Sequence, residues 1–291
     1  MSAPRLVVVH RRTWLAELLE VHSTLGAVEF FLSGRGLGIE TLRAADEAQR
    51  RTLDAVSNAV PAQWRYAEVE RGQLSRFLFE PDDLVVVVGQ DGLIPNVSKY
   101  LRGQPVLGIS PGAPGVLCSH SPEDLRDLLA GRGRPGTEVR TMVEAIVDDG
   151  QRLRALNEIF AGDRGHQSAR YDLRVGGSVE TQSSSGVVVG TGTGAGGWLA
   201  SLWGQNRPGF GLPGATSGEL AYFVREAWPS GTTGTSLTAG LLAEGEGLEL
   251  SARSTLVVFG DGIERDFLRL EWGQGLTVRK AEGGLKLMYL K

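Results

Sequence analysis

Five consecutive apolar residues at positions 84–88, Leu-Val-Val-Val-Val, restrict the fold more than any other feature of this chain. A short, continuous apolar run is typical of a strand that is buried on both faces in a parallel sheet. Strand-like segments at residues 5–9 and 104–109, and helix-like apolar spacing at residues 12–22 and 39–59, surround it. Because strands alternate with helices, we predict an α/β N-terminal domain with a Rossmann-like parallel sheet.

Weaker signals complete this part of the chain. Residues 64–68 predict a further strand, and residues 97–101 predict a short helix. Ser121 is a typical helix N-cap, and Pro122 behind it suits the first helical position, so we predict a helix that ends at Leu129.

The composition changes in a Gly-, Pro- and Arg-rich stretch at residues 131–136. Short segments of alternating or β-branched composition follow, and turn residues separate them, which is typical of an antiparallel β sandwich. We therefore predict one domain over residues 1–135 and an all-β, sandwich-like domain over residues 136–275. Its expected strands are 137–147, 152–160, 169–175, 186–189, 221–225, 256–259, 267–272 and 276–279. The Gly-rich stretches 203–217 and 229–235 predict loops.

Several classes of protein are excluded or disfavoured. A chain of 291 residues, 41% hydrophobic and 22% charged, buries a sizeable core, and it has no apolar run near the ~20 residues that span a bilayer. The residues before position 6 lack the apolar core of a signal peptide, so we expect a cytoplasmic protein without a membrane partner. A net charge of −4 argues against a nucleic-acid partner. None of the four lysines follows a glycine, which excludes a P-loop.

The single cysteine, Cys118, rules out an intrachain disulfide and a multi-cysteine metal site. The four histidines show no spacing typical of metal ligands, so we predict no metal-binding residues in the chain.

Three glycine patterns compete as markers of a functional site. Gly108-Ile-Ser110-Pro111-Gly112 matches a nucleophile elbow, but the oxyanion hole of such hydrolases needs a backbone N–H after the serine, and Pro111 has none. A turn is the better interpretation. The run from Gly192 to Gly197 contains G-x-G-x-x-G, and its place in the β-rich half favours a binding loop over a Rossmann fingerprint.

The third pattern is Gly89-Gln90-Asp91-Gly92, at the carboxyl end of the strongest strand. Ligands bind at that edge of an open α/β sheet, and a carboxylate there has little structural reason to be. A strand-ending turn remains the alternative, and position alone does not decide between them.

The order of the motifs resembles that of NAD kinases. Residues 85–92 resemble their strand and GGDG loop, residues 108–117 their next strand and glycine turn, and Asn157-Glu158 their NE motif. The segment at 185–198 resembles their TPTGSTAY segment in a form closest to the mitochondrial-type branch, and Asp261-Gly262 resembles their late DGQ turn.

This resemblance implies a phosphotransferase that moves the terminal phosphoryl of ATP, with Mg²⁺, to the adenosine ribose 2′-hydroxyl of NAD and gives NADP. It also implies a C-terminal segment, residues 276–291, that returns to the first domain, and a homodimer. Asp91 falls on the catalytic aspartate. The residues that fall on substrate-binding positions are Gly89, Gly92, Asn157, Glu158, Thr191, Thr193, Gly194, Trp198 and Asp261.

The loop also diverges from the family pattern, since Gln90 stands for the second glycine and Leu93 for a threonine. Two alternatives therefore stay open. One is a dinucleotide-binding protein on the kinase fold with impaired catalysis. The other is a kinase of a different nucleotide, sugar or lipid hydroxyl.

Overall fold

A computed structural model describes residues 3–290. Contacts divide the chain into two units, of which the first holds residues 3–138 and 286–290 and the second holds Val139–Leu285. The first unit contains β1 (Arg5–His10), α1 (Trp14–His22), α2 (Leu25–Ser33), α3 (Glu40–Ala59), β2 (Arg65–Glu70), β3 (Asp83–Val88), α4 (Leu93–Ser98), β4 (Pro105–Ile109) and α5 (Pro122–Leu129).

The sheet of the first unit is parallel, in the order β2-β1-β3-β4. Side chains of β1 and β3 from Leu6 to Val9 and from Val85 to Val88 are fully buried, as continuous apolar runs require. At the end of the chain, Lys286 and Leu287 pair in parallel with β4. All four strands therefore end at one carboxyl edge, which carries the loop after β3.

Helix boundaries follow local capping chemistry. The Ser121 hydroxyl accepts the N–H of Asp124, and the Asp124 carboxylate accepts the N–H of Ser121, so α5 begins as predicted. The helix predicted at residues 97–101 is present but lies earlier, since α4 runs from Leu93 to Ser98. A turn in which the Leu93 N–H donates to the Gln90 carbonyl starts this helix, and Pro95 lies in its first turn, where a missing N–H costs little.

The second unit is built of antiparallel strands. These are β5 (Pro135–Val147), β6 (Arg152–Ala155), β7 (Glu158–Gly162), β8 (Ala169–Val175), β9 (Ser178–Ser184), β10 (Gly186–Gly190), then helix α6 (Trp198–Asn206), β11 (Leu220–Arg225), β12 (Ala239–Leu242), β13 (Gly247–Ala252), β14 (Leu256–Gly260), β15 (Phe267–Leu270) and β16 (Gly275–Leu290).

Two sheets enclose the main core of this unit. One has the order β12-β11-β10-β7-β14-β15, and the other contains β16-β13-β8-β9 with β5 and β6. Alternate residues such as Ile159 and Val187 point into the core between them, where they meet Leu173 and Leu248 of the second sheet. The α/β first half and the β-rich second half predicted from the sequence are confirmed.

Some predicted elements of the second unit are wrong. The expected strand 152–160 is two strands, because the chain passes from one sheet to the other at Leu156 and Asn157, with β6 paired to β5 and β7 paired to β10 and β14. The stretch 203–217 is not a loop at its start, since α6 continues to Asn206. The prediction omits β9, which is polar, and β12, which is short. It also omits β13, although Leu248, Leu250 and Ala252 alternate there with polar residues and give a clear strand signal. No helix within residues 3–290 is long and apolar enough to cross a membrane.

Candidate active site

Asp91 lies in the loop after β3, and its carboxylate is engaged by the backbone. It accepts N–H groups from Val116 at 2.7 Å, Leu117 at 3.0 Å and Cys118 at 2.8 Å. These bonds tie the loop after β3 to the loop after β4. The expectation that a carboxylate here has little structural reason is therefore wrong, because three backbone donors depend on it.

Gly115 makes this contact possible. A Cβ on Gly115 would lie 2.1 Å from the Oδ1 atom of Asp91, well inside van der Waals contact. Sequence reasoning missed this residue. The only signal was its place in the glycine turn that follows β4, since nothing local links position 115 to position 91.

Positions 90 and 93 of this loop differ in burial. Gln90 is exposed, whereas Leu93 is only 5% exposed and packs in the core of the first unit. Gly89 continues the sheet, since its N–H donates to the Ile109 carbonyl at 3.0 Å. Leu93 therefore acts as a core residue of α4, while the side chain of Gln90 faces solvent.

Ser110 takes part in a turn, as the sequence predicts. Its hydroxyl donates to the Ala113 carbonyl at 2.7 Å and accepts the Gly112 N–H at 3.2 Å. Both bonds are local, and no described side chain is placed to activate the hydroxyl as a nucleophile.

In the second unit, Asp261 holds the crossing at Leu156 and Asn157, where the chain passes from β6 in one sheet to β7 in the other. The Asp261 carboxylate accepts the N–H of Leu156 at 3.1 Å and that of Asn157 at 2.7 Å. In return, the Asp261 N–H donates to the Glu158 carbonyl at 3.0 Å. Asp261 has a positive φ of 54°, which aspartate tolerates better than most residues.

The loop after β10 also bonds to this crossing. The Thr191 hydroxyl donates to the Leu156 carbonyl at 2.6 Å, and the Thr191 N–H donates to the Asn157 carbonyl at 2.9 Å. The Thr193 N–H donates to the Thr191 hydroxyl at 3.1 Å. Two distant segments therefore fix the backbone of Asn157, whose side chain stays partly exposed and makes no hydrogen bond to another described residue.

Two polar groups of this cluster lack protein partners among the described residues. The Glu158 carboxylate is 7% exposed and makes no hydrogen bond to residues 3–290. The Thr193 hydroxyl oxygen is buried and also lacks a hydrogen-bond partner within that range. Burial, and secondarily the charge of Asp261, raises the pKa of Glu158 to about 7. Such unsatisfied groups are typical of a ligand site.

Trp198 is partly buried at the start of α6. Its ring stacks on Phe160, with centroids 5.8 Å apart, and the Arg225 guanidinium lies 5.5 Å from its centroid. Trp198 thus packs with the aromatic residues on the outer face of the six-stranded sheet, next to the loop that holds Thr193 and Gly194.

Neither unit shows an obvious metal centre or a reactive thiol. Within residues 3–290, no group of three or more His, Cys, Asp or Glu side chains is arranged to hold a metal ion. Burial, with a smaller contribution from Asp91, raises the pKa of the Cys118 thiol to about 12, so this thiol stays protonated and unreactive.

Gly194 and Gly196 provide a matched pair for testing the loop. A Cβ on Gly194 would lie 2.7 Å from the Asn157 carbonyl oxygen, whereas a Cβ on Gly196 meets no atom within 4 Å. We expect Gly194→Ala to lower the free energy of unfolding by about 1–3 kcal/mol. Gly196→Ala should leave it within about 0.5 kcal/mol. Urea unfolding of both variants measures the difference, and equal effects would show that the loop does not press on Asn157.

Comparison with known proteins places the fold among NAD kinases. The chain is similar to the yeast NADH kinase solved with NADH, with a TM-score of 0.65 and 13% identity over 99% of this chain and 84% of that one. It is also similar to the Archaeoglobus fulgidus NAD kinase solved with ATP, with a TM-score of 0.57 and 19% identity over 99% of this chain and 93% of that one. The chain therefore has the NAD kinase fold.

Sequence comparison points to the same family. The chain is 34% identical over 123 residues to the NAD kinase of Clostridium tetani, which covers 39% of this chain and 44% of that protein. The matched segments span less than half the length of the curated relatives. No family model matches the chain. The chain is thus similar in sequence to part of several NAD kinases and shares their fold.

Proposed function

We propose that this protein is an NAD kinase-like phosphotransferase that forms NADP from NAD and ATP. One observation carries the proposal. Three segments far apart in sequence, which hold Asn157-Glu158, Thr191 to Gly194, and Asp261, meet where the chain crosses between the two sheets and leave polar groups free for a ligand. A site that offers an amide and a buried carboxyl suits the hydroxyl and amide groups of a dinucleotide.

In the proposed reaction, the ribose 2′-hydroxyl oxygen attacks the terminal phosphorus of ATP. A new P–O bond forms, the bond to the bridging oxygen breaks, and ADP leaves. Asp91 accepts the hydroxyl proton, and Gly89 and Gly92 let backbone approach the phosphates. Asn157, Glu158, Thr191, Thr193, Gly194 and Asp261 bind or position the dinucleotide, with Trp198 beside the adenine. Positioning supplies most of the rate, and the base adds about 10²–10⁴-fold.

Mg²⁺ belongs to the proposal as the partner of the ATP phosphates. When bound, it would be held through the ATP phosphates and would neutralise charge on the transferring phosphoryl group. The residues of this chain hold the hydroxyl and the dinucleotide in position.

The direct test is incubation with ATP, Mg²⁺ and NAD, followed by an NADP-specific dehydrogenase that reports the product. We expect NADP to accumulate, and we expect NAD to raise the melting temperature. NADH in place of NAD defines the acceptor, and other nucleoside triphosphates define the donor. No product with NAD or NADH, together with no thermal shift, would contradict the proposal.

A dinucleotide-binding protein with impaired catalysis is the second candidate. The observation that favours it is the carboxylate of Asp91, whose oxygens already accept three backbone N–H groups. Exposed Gln90, where the family has glycine, adds bulk beside the phosphates. Thermal stabilisation by NAD without NADP formation would select this candidate over the kinase.

The finer assignments complete the proposal. The Thr-Gly-Thr-Gly run from Thr191 to Gly194 and the aromatic Trp198 favour the mitochondrial-type branch, with Gln90 and Leu93 marking a divergent GGDG loop. We propose a cytoplasmic homodimer. Light scattering across a range of concentrations tests the dimer, and cell fractionation tests the location. A monomeric mass throughout would refute the dimer.

A further inference from the structure

We propose that the backbone N–H groups of Val116, Leu117 and Cys118, here called the amide cradle, form a phosphoryl-binding site that Asp91 fills when no ligand is bound. This inference rests on the proposed phosphotransfer. It adds a phosphoryl-binding site to that reaction. It also explains how binding of the phosphoryl donor frees the Asp91 carboxylate to act as the base.

The geometry of the amide cradle is that of an anion site. Three successive N–H groups converge on one carboxylate at 2.7, 3.0 and 2.8 Å, and the Gly115 N–H closes the turn by donating to the Cys118 carbonyl at 2.9 Å. Successive backbone N–H groups that point to one place form a concave anion-binding nest, which takes phosphate oxygens as readily as carboxylate oxygens.

The position of the cradle suits a phosphoryl group. It follows β4, while Asp91 follows β3, so both lie at the carboxyl edge of the parallel sheet, where ligands of open α/β sheets bind. Gly92 and Gly112 stand in the same two loops. Neither has a positive φ, and a Cβ on either would meet no atom within 4 Å. The fold does not require glycine at these positions, whereas close approach of a phosphate would.

The charge balance allows an exchange of anions. The Asp91 carboxylate satisfies the three donors, so the ligand-free protein has no unpaired N–H group in the cradle. A phosphoryl group that entered would satisfy the same donors, and like charge would repel the carboxylate. Asp91 would then turn away from the cradle and become free to accept the proton of the ribose hydroxyl. Donor binding would thereby activate the base.

Removing the competing carboxylate tests the proposal without any turnover. Inorganic pyrophosphate is titrated into ¹⁵N-labelled wild type and Asp91→Ala, and the amide resonances of residues 116–118 are followed by NMR. We expect saturable shifts at these three amides, with a dissociation constant at least ~10-fold lower in Asp91→Ala than in wild type. Equal constants, or shifts that spare residues 116–118, would overturn the site.

Asp124→Ala is the matched control, because it removes another carboxylate that accepts a backbone N–H in the same unit. It should bind pyrophosphate at the cradle as the wild type does. If Asp124→Ala gained as much affinity for pyrophosphate as Asp91→Ala does, net charge and not the cradle would set the affinity. That result would refute the site. If Asp91→Ala does not fold, Asp91→Asn replaces it, with a smaller gain in affinity expected because the amide oxygen of asparagine still accepts cradle N–H groups and so still competes with pyrophosphate.

The result is separable from that of the kinase assay. Pyrophosphate binding at the cradle of Asp91→Ala alongside a wild type that makes no NADP would retain the site and refute the kinase. If the wild type forms NADP but pyrophosphate binds at the cradle of neither the wild type nor Asp91→Ala, the kinase proposal would be retained and the site refuted.

Discussion

Asp91→Asn is expected to lower NADP formation by about 10²–10⁴-fold, while the affinity for NAD changes by less than about tenfold. The amide keeps the size of the side chain but has neither the charge nor the basicity to accept the ribose proton. Its Nδ2 group would also face a backbone donor in the amide cradle, so the free energy of unfolding should fall by about 1–3 kcal/mol. Coupled NADP assays and urea unfolding measure the two effects.

Asp124→Asn is the control for this prediction. Asp124 accepts the Ser121 N–H at 2.8 Å at the start of α5, so its loss should cost about 1 kcal/mol of stability and leave turnover unchanged. A folded Asp91→Asn protein that keeps most of the wild-type rate would remove Asp91 as the base. The carboxylate would then be a structural link between two loops.

Glu158→Gln is expected to change how stability depends on pH. The pKa of Glu158 is raised from 4.5 to about 7 in the folded protein, chiefly by burial. Between these values the unfolded chain loses the proton and the folded one keeps it, so the stability contribution is fully present below pH 4.5 and is lost as the pH rises through 7. The loss amounts to roughly 3 kcal/mol. Glutamine does not titrate, so the variant should lack this part of the decline.

The measurement is urea unfolding of wild type and Glu158→Gln at pH 5 and pH 8. We expect the stability of the variant relative to wild type to rise between these pH values by nearly that amount. Glu249→Gln removes a carboxylate that is 59% exposed on β13. Its free energy of unfolding should change between pH 5 and pH 8 as that of the wild type does. If Glu158→Gln also runs parallel to wild type, the carboxyl of Glu158 is already ionised at pH 5 in the folded protein.

The fold class and the positions of the buried strands are readable from sequence because burial of apolar residues is their cause. The runs at Leu6 to Val9 and Val85 to Val88 are apolar without interruption, and both are fully buried. The start of α5 is equally local, since the capping partners Ser121 and Asp124 lie three residues apart.

Local signals are weaker where tertiary contacts compete with them. Helix α4 begins four residues before its predicted start, because the hydrogen-bonded turn from Gln90 to Leu93 leads straight into the helix. The strand expected at 152–160 breaks at Asn157, where bonds from Asp261 and Thr191 replace the ladder. The residues that cause this break are distant in sequence, so the local pattern of apolar residues does not predict it.

The sequence by itself determined the fold class and named the residues to inspect, Asp91, Asn157, Glu158 and Asp261 among them. Only the tertiary structure decided their environments. Asp91 meets donors 25 to 27 positions away, and Asp261 holds an N–H 104 positions away. Burial of Glu158, which moves its pKa, likewise depends on the packing of the whole unit. Apolar burial leaves a local pattern in the sequence, whereas a hydrogen-bond partner or a pKa depends on which distant segments meet.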